Sequence, residues 1–195
     1  MTHSPSILIS DAIHLQPLAG EHAPLLFERV DHNRNHVRTW LPWVDAMQSV
    51  EHFQQFIRAA RAREEAGQER SWSIFYHGVL AGRIGIHYIN QQNKQGSVGY
   101  WLGQEFEGKG IVTQACEGVI GYGFNDLGLH RIELKCGTGN NRSAAVPQRL
   151  GFTNEGILRE AELVNGQFID LYLFSLLRSE WAATGVHRKL ENVPG

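Results

Sequence analysis

The chain has 195 residues, of which 42% are hydrophobic and 19% charged, and its formal net charge is −2. This length suits one domain with a sizeable core, and the charge argues against nucleic acid as the main partner, because phosphate binding needs a clustered positive surface. There is no apolar run of the roughly 18 residues that a membrane span requires, and the start lacks the features of a secretory signal. Two cysteines cannot form a disulfide framework or a four-ligand metal site. We therefore expect a cytoplasmic protein without a metal or a membrane partner, in which residues 1–195 form one domain with its core over about 12–182 and a tail over 183–195.

In the first half of the chain the spacing of hydrophobic residues changes from helical to alternating near residue 71. A short alternating run at 13–17 predicts a strand, and helical spacing over 18–30 and 50–60 predicts two helices. The Pro-broken segment 39–44 between them carries two indoles and either packs inward or lines a pocket. Alternation then predicts an antiparallel meander with strands at 72–76, 79–89 and 97–102.

The second half of the chain continues the mixture of helices and strands. Apolar spacing predicts a helix over 111–124, a strand over 131–136 and a short helix over 143–150. Strands at 152–163 and 168–177 are joined by the hairpin turn signal Asn165-Gly166. The pattern predicts an α+β domain with a mostly antiparallel, twisted sheet of about six or seven strands and about four helices.

The stretch GQEFEGKG, residues 103–110, approaches a nucleotide-binding signature but lacks its last residue. A Ser or Thr that holds magnesium should follow Lys109, and Gly110 stands there instead. The glycines Gly108 and Gly110 nevertheless let backbone N–H groups face an anion, and a helix from about Ile111 adds its free first-turn N–H groups and its dipole. Such a loop can bind a pyrophosphate without metal, which fits coenzyme A.

Five segments together resemble the GNAT superfamily of N-acetyltransferases. They are GYWLGQEFEGKGIVTQA at 99–115, HRIELKC at 130–136, NNRS at 140–143, RLGF at 149–152 and REAELVNGQFID at 159–170. Within the superfamily the chain looks like the RimL/RimJ branch, which acetylates the N-terminal amines of ribosomal proteins. The resemblance covers about residues 12–182 and implies the GNAT fold, with a sheet that splays at the cofactor site.

The resemblance implies acetyl-CoA as cofactor, with the pantetheine arm beside the splayed end of strand 97–102 and a backbone N–H near Leu102 on the thioester carbonyl. The cofactor-binding residues that it implies are Trp101, Leu102, Glu107, Gly108, Lys109, Gly110, Ile111, Val112, Thr113, Asn140 and Ser143. Two positions depart from the family pattern, which has Gln or Arg at Glu107 and often a small residue at Val112. A carboxylate at Glu107 should weaken cofactor affinity unless it turns outward.

Amide formation from a thioester needs a neutral amine, a stabilised oxyanion and a proton for the thiolate. Many relatives supply that proton from a Tyr at the position of Pro147, so Ser143 becomes the candidate acid, with a helix N-cap as its alternative role. Glu162 is the candidate base, unless it is a surface or ion-paired glutamate. His87 is the third candidate catalytic residue, as one that could line the acceptor cleft.

The expected function is acetyl transfer by direct attack of a primary amine, the N-terminal amine of a (ribosomal) protein. Two alternatives stay open. One is a small acceptor such as a polyamine, an aminoglycoside or an amino acid, and the other is a non-catalytic acyl-CoA-binding module. The resemblance also leaves a homodimer open, because relatives often dimerise.

Overall fold

The alternating segments of the sequence form neighbouring strands of one sheet in the computed structural model, which describes residues 4–183. Strand order in this sheet is β1-β2-β3-β4-β5-β6-β8-β7. The strands of the described chain are β1 (Ile7–Leu8), β2 (Ile13–Pro17), β3 (Arg70–Tyr76), β4 (Val79–Asn90), β5 (Gln95–Leu102), β6 (Arg131–Gly137), β7 (Thr153–Val164) and β8 (Gln167–Leu177).

Within residues 4–183 the sheet is antiparallel apart from the central pair β5 and β6, which is parallel. The α+β class, the meander β3–β4–β5 and the Asn165-Gly166 hairpin are confirmed. The sheet has eight strands rather than six or seven. The additional one, β1, has two residues, too few for an alternating pattern to show.

Helices cover both faces of the sheet. In the part of the chain that the structure describes they are α1 (Ala23–His32), α2 (Arg34–Val37), α3 (Val50–Glu65), α4 (Ile111–Asn125), α5 (Asn141–Arg149) and α6 (Arg178–Ala183). The expected number was about four, and the short α2 and α6 are the additions. None of these helices is long and apolar enough to cross a membrane. Beyond Ala183 the predicted tail lies outside the described residues.

Two apolar clusters hold these helices against the sheet. One packs α4 onto β4, β5 and β6 through fully buried residues such as Ile84, Ile86 and Ile120. The other packs α1 and α3 onto the opposite face, where Leu26 and Ile57 are buried. Because alternate residues of a strand point to opposite faces, β3, β4 and β5 contribute to both clusters.

The central parallel pair separates along its length. Its pairing runs from Gln95↔Arg131 to Val98↔Leu134. Beyond that point β5 continues against β4 as far as Leu102, and β6 continues against β8 as far as Gly137. A gap therefore opens between the carboxyl ends of β5 and β6, and the segments that follow these two strands form its walls.

Candidate active site

The glycine loop after β5 ends at the N-terminus of α4. Gly108 and Gly110 have φ values of +75° and +73°, a left-handed conformation that costs other residues about 1–2 kcal/mol. Gly110 is the N-cap of α4, and no side chain of the described residues makes a capping hydrogen bond there. The first-turn N–H groups of α4 therefore remain available to an anion.

The carboxylate of Glu107 connects the glycine loop to two helices, α2 and α5. It accepts a hydrogen bond from His36 Nε2 at 2.8 Å and pairs with the Arg142 guanidinium of α5. The side chain of Glu107 is 24% exposed and that of Arg142 is 76% exposed. The negative charge that the sequence places at the loop thus has a cationic partner.

Lys109 contacts aromatic rings. Its Nζ lies 5.5 Å from the ring centroids of both Tyr76 and Phe106. The ammonium group therefore makes cation–π interactions with two rings of the protein itself.

Three polar side chains meet in the gap itself. The hydroxyl of Tyr100, on β5, lies 3.0 Å from Ser143 Oγ and 3.2 Å from the Ser143 carbonyl oxygen. Burial raises the pKa of the Cys136 thiol at the end of β6, and a hydrogen bond with Ser143 partly offsets this rise. Burial also raises the pKa of Tyr100 well above its ordinary value, so its hydroxyl stays protonated. A hydroxyl and a thiol therefore converge on Ser143.

The N-cap of α5 is Asn140, so the interpretation of Ser143 as the cap is wrong. The Asn140 side chain accepts a hydrogen bond from the Ser143 backbone N–H at 3.0 Å. Ser143 is the third residue of the helix, and its hydroxyl is directed to Tyr100 instead of to the helix end. Pro147 lies inside α5, where it removes one helical N–H.

The remaining residues of the implied cofactor site differ in what they expose. Trp101 is 7% exposed and packs in the cluster beneath α1 and α3, and Ile111 is 1% exposed in the opposite cluster. Only their backbone groups are placed to contact a ligand in the gap. Leu102, Val112 and Thr113 are partly buried.

His87 belongs to a buried ionic network. Its Nδ1 lies 3.5 Å from Glu69 Oε1, and Arg83 Nη2 lies 2.7 Å from the same oxygen. Burial lowers the pKa of His87, and Glu69 partly offsets this. His87 pairs with Ser97, three positions before Tyr100, and strand alternation puts it on the opposite face of the sheet from Tyr100. The structure thus joins His87 to Glu69, and not to the Tyr100–Ser143 pair.

A cleft of about 420 Å³ opens at the end of β6, beside Gly137. Its lining residues are Trp40, Gly137, Thr138, Gly139, Glu160, Phe168, Ile169 and Asp170. Glu162 lies nearby, opposite Ile169 on the neighbouring strand, and burial raises the pKa of its carboxyl. Neither Glu160 nor Asp170 was among the predicted site residues. Glu160 enters the cleft at an irregularity in the β7–β8 pairing, where its φ is +50° and its N–H donates to Asp170 Oδ1 at 2.8 Å.

The N-terminus of α4 beside the separated strands β5 and β6, uncapped by the described side chains, suits a transferase that uses an acyl-CoA. More particularly, the chain belongs to the GNAT acetyltransferases, because the family described as "Acetyltransferase (GNAT) domain" matches residues 13–153. The predicted superfamily is confirmed, and the protein is a GNAT-type N-acetyltransferase.

Similar proteins support the ribosomal branch of this family. The chain is 36% identical over 176 residues to the putative ribosomal N-acetyltransferase YdaF of Bacillus subtilis (strain 168), covering 89% of this chain and 95% of the relative. It is 29% identical over 170 residues to the ribosomal-protein-serine acetyltransferase of Escherichia coli (strain K12), covering 87% and 95%. A solved structure of RimL, a ribosomal L7/L12 alpha-N-protein acetyltransferase with coenzyme A in a disulfide to a cysteine, has a TM-score of 0.86 at 26% identity, covering 90% of this chain and 98% of that one.

Proposed function

We propose that this protein transfers the acetyl group of acetyl-CoA to the N-terminal amine of a ribosomal protein. The observation that carries the proposal is the gap between β5 and β6, with the N-terminus of α4 at its mouth. The names of the relatives support the choice of acceptor.

The residues around the gap fit acetyl-CoA at two places. The glycine loop and the first turn of α4 offer backbone N–H groups to a pyrophosphate. The edge of β5 from Gly99 to Leu102 is no longer paired with β6, and it offers N–H and C=O groups to a pantetheine arm as a neighbouring strand would. When bound, acetyl-CoA supplies an acetyl thioester, an acyl group already activated for transfer.

The acidic cleft beside Gly137 suits the acceptor. Glu160 and Asp170 provide negative charge for an amine that arrives as an ammonium ion. At the same hairpin Phe168 is 64% exposed and Leu163 is 51% exposed. Exposed apolar side chains beside a cleft favour contact with a macromolecule, and they support a protein acceptor over a small amine.

Two side chains can move the protons that the transfer requires. Glu162, whose pKa is raised by burial, can accept a proton from the ammonium group, because a base works best when its pKa approaches the working pH. Ser143 can donate a hydrogen bond to the departing sulfur, because its hydroxyl lies in the third residue of α5, the helix that follows the end of β6. The C–N bond forms and the C–S bond breaks. The ammonium nitrogen loses two protons: Glu162 accepts the first and releases it to solvent, and the second balances the proton that sulfur gains beside Ser143.

An acceptor screen tests this function. The purified protein is incubated with acetyl-CoA and ribosomal proteins, and thiol release and the intact mass of each acceptor are measured. We expect one acetyl group on the N-terminus of an acceptor and none on the same acceptor with a blocked N-terminus. Thiol release with polyamines, aminoglycosides or amino acids alone would contradict the protein acceptor. Binding of acetyl-CoA without any thiol release would contradict catalysis.

A further inference from the structure

Tyr100 and Pro147 meet at one residue, Ser143, from opposite sides of the gap. In a regular α-helix the N–H of residue 147 would donate to the carbonyl of residue 143. Proline has no N–H and its ring displaces the carbonyl four residues earlier. Pro147 therefore leaves the Ser143 carbonyl without its helical donor, and the Tyr100 hydroxyl donates to that oxygen at 3.2 Å.

The same tyrosine also contacts the hydroxyl of Ser143. Tyr100 Oη lies 3.0 Å from Ser143 Oγ, and either atom can be the donor. A serine hydroxyl inside a helix otherwise tends to donate back to a carbonyl three or four residues earlier. When Ser143 Oγ accepts from Tyr100, its own proton is free to face the end of β6, where Cys136 lies.

We propose that Tyr100 is a positioning residue that aims the Ser143 proton at the sulfur of the thioester. Tyr100 acts through Ser143 and stays protonated throughout. This inference rests on the proposed function, and it assigns a role to a side chain that the acid–base chemistry above does not use. Because the two residues are 43 positions apart in the sequence, the pairing exists only in the folded chain.

The first test compares Tyr100→Phe, Ser143→Ala and the double variant in acetyl transfer. Tyr100→Phe should lower kcat by about tenfold and leave the KM for acetyl-CoA unchanged, while Ser143→Ala should lower kcat by about a hundredfold. The double variant should match Ser143→Ala, because residues that act through one another are not additive. Tyr122→Phe is the matched control, since Tyr122 of α4 is also buried but packs against Trp72 of β3.

Pro147→Ala separates positioning from a merely structural role. It restores a helical N–H to the Ser143 carbonyl, so it should recover any thermal stability that Tyr100→Phe loses. If Tyr100 served only that carbonyl, Tyr100→Phe/Pro147→Ala would also recover kcat, and the proposal would be wrong. We expect stability to return and kcat to stay low.

A second readout needs no acetyl-CoA. If Tyr100 aims the Ser143 proton at sulfur, Tyr100→Phe should slow alkylation of Cys136 by iodoacetamide in the free protein by about two- to tenfold, the range for one hydrogen bond. Cys136→Ser gives the background from the fully buried Cys116. If Cys136 of Tyr100→Phe is alkylated as fast as in the parent, and the parent acetylates its acceptor, the role of Tyr100 is overturned and the proposed function is not. Absence of acetyl transfer in the parent protein contradicts the proposed function instead.

Discussion

The charge at Glu107 can be removed without disturbing the glycine loop, and its removal should strengthen coenzyme A binding. In the structure Glu107 neutralises Arg142, whose exposed guanidinium lies at the mouth of the gap. Glu107→Gln frees that positive charge beside the expected pyrophosphate. A charge near a helix N-terminus contributes about 0.3–1 kcal/mol, which corresponds to a Kd lower by about two- to fivefold.

Isothermal titration with coenzyme A at low and at high salt measures this change. Salt screens exposed charges, so the gain should shrink as salt increases. Arg142→Gln should have the opposite sign, because it leaves Glu107 with His36 as its partner near the anion, and the double variant should return close to the parent Kd. Glu105→Gln is the matched control, since it removes the same charge from the same loop but its carboxylate pairs with Arg29 of α1.

Two results would refute this reasoning. If Glu107→Gln weakens binding, the bridge from the loop to α5 shapes the gap, and its geometry matters more than its charge. If Glu107→Gln and Glu105→Gln shift the Kd equally, the effect is long-range and Arg142 has no specific part in it.

Three further predictions concern the loop, the helix cap and the base. Gly110→Asp should abolish coenzyme A binding in titration calorimetry, whereas Gly110→Ala should lower the free energy of unfolding by about 1–2 kcal/mol because of its positive φ and still bind. Asn140→Ala should cost about 1 kcal/mol of stability in denaturant unfolding, and Ser143→Ala should cost less because it leaves the cap intact. Burial raises the pKa of Glu162, so kcat/KM should rise with pH as this carboxyl ionises. The midpoint of the rise should lie above the ordinary glutamate value of about 4.3, and Glu162→Gln should abolish the rise. The raised pKa also means that Glu162 favours the folded state while protonated and loses this contribution as pH rises through the folded pKa. If kcat/KM still rises with pH in Glu162→Gln, the base is another residue.

Local patterns were enough to predict the strands and the long helices. The helix predicted over 111–124 is Ile111–Asn125, and the alternating run at 131–136 is Arg131–Gly137. These elements bury one or both of their faces, and a buried face requires hydrophobic residues at regular spacing in the sequence. The two-residue β1 and the four-residue α2 are too short to show a regular spacing of hydrophobic residues.

The arrangement of the candidate site required contacts between distant residues. The glycine loop could be predicted because anion binding by a helix N-terminus depends on local backbone conformation. The partners of Glu107, in contrast, lie 71 and 35 positions away in the sequence. Ser143 seemed a cap because of its residue type, yet the competing Asn140 three positions earlier makes that bond.

The separation of β5 from β6 also divides the sheet into two units. Before it lie β1 to β5, joined by antiparallel pairs between strands consecutive in the sequence, and after it lie β6, β8 and β7. Within the described residues, four paired positions, from Gln95↔Arg131 to Val98↔Leu134, connect the two units along the sheet. Such a junction can open locally at a lower free energy than the whole domain unfolds. A ligand that contacts both walls of the gap would fasten the two units together, so that occupancy by ligand also determines how cooperatively the chain unfolds.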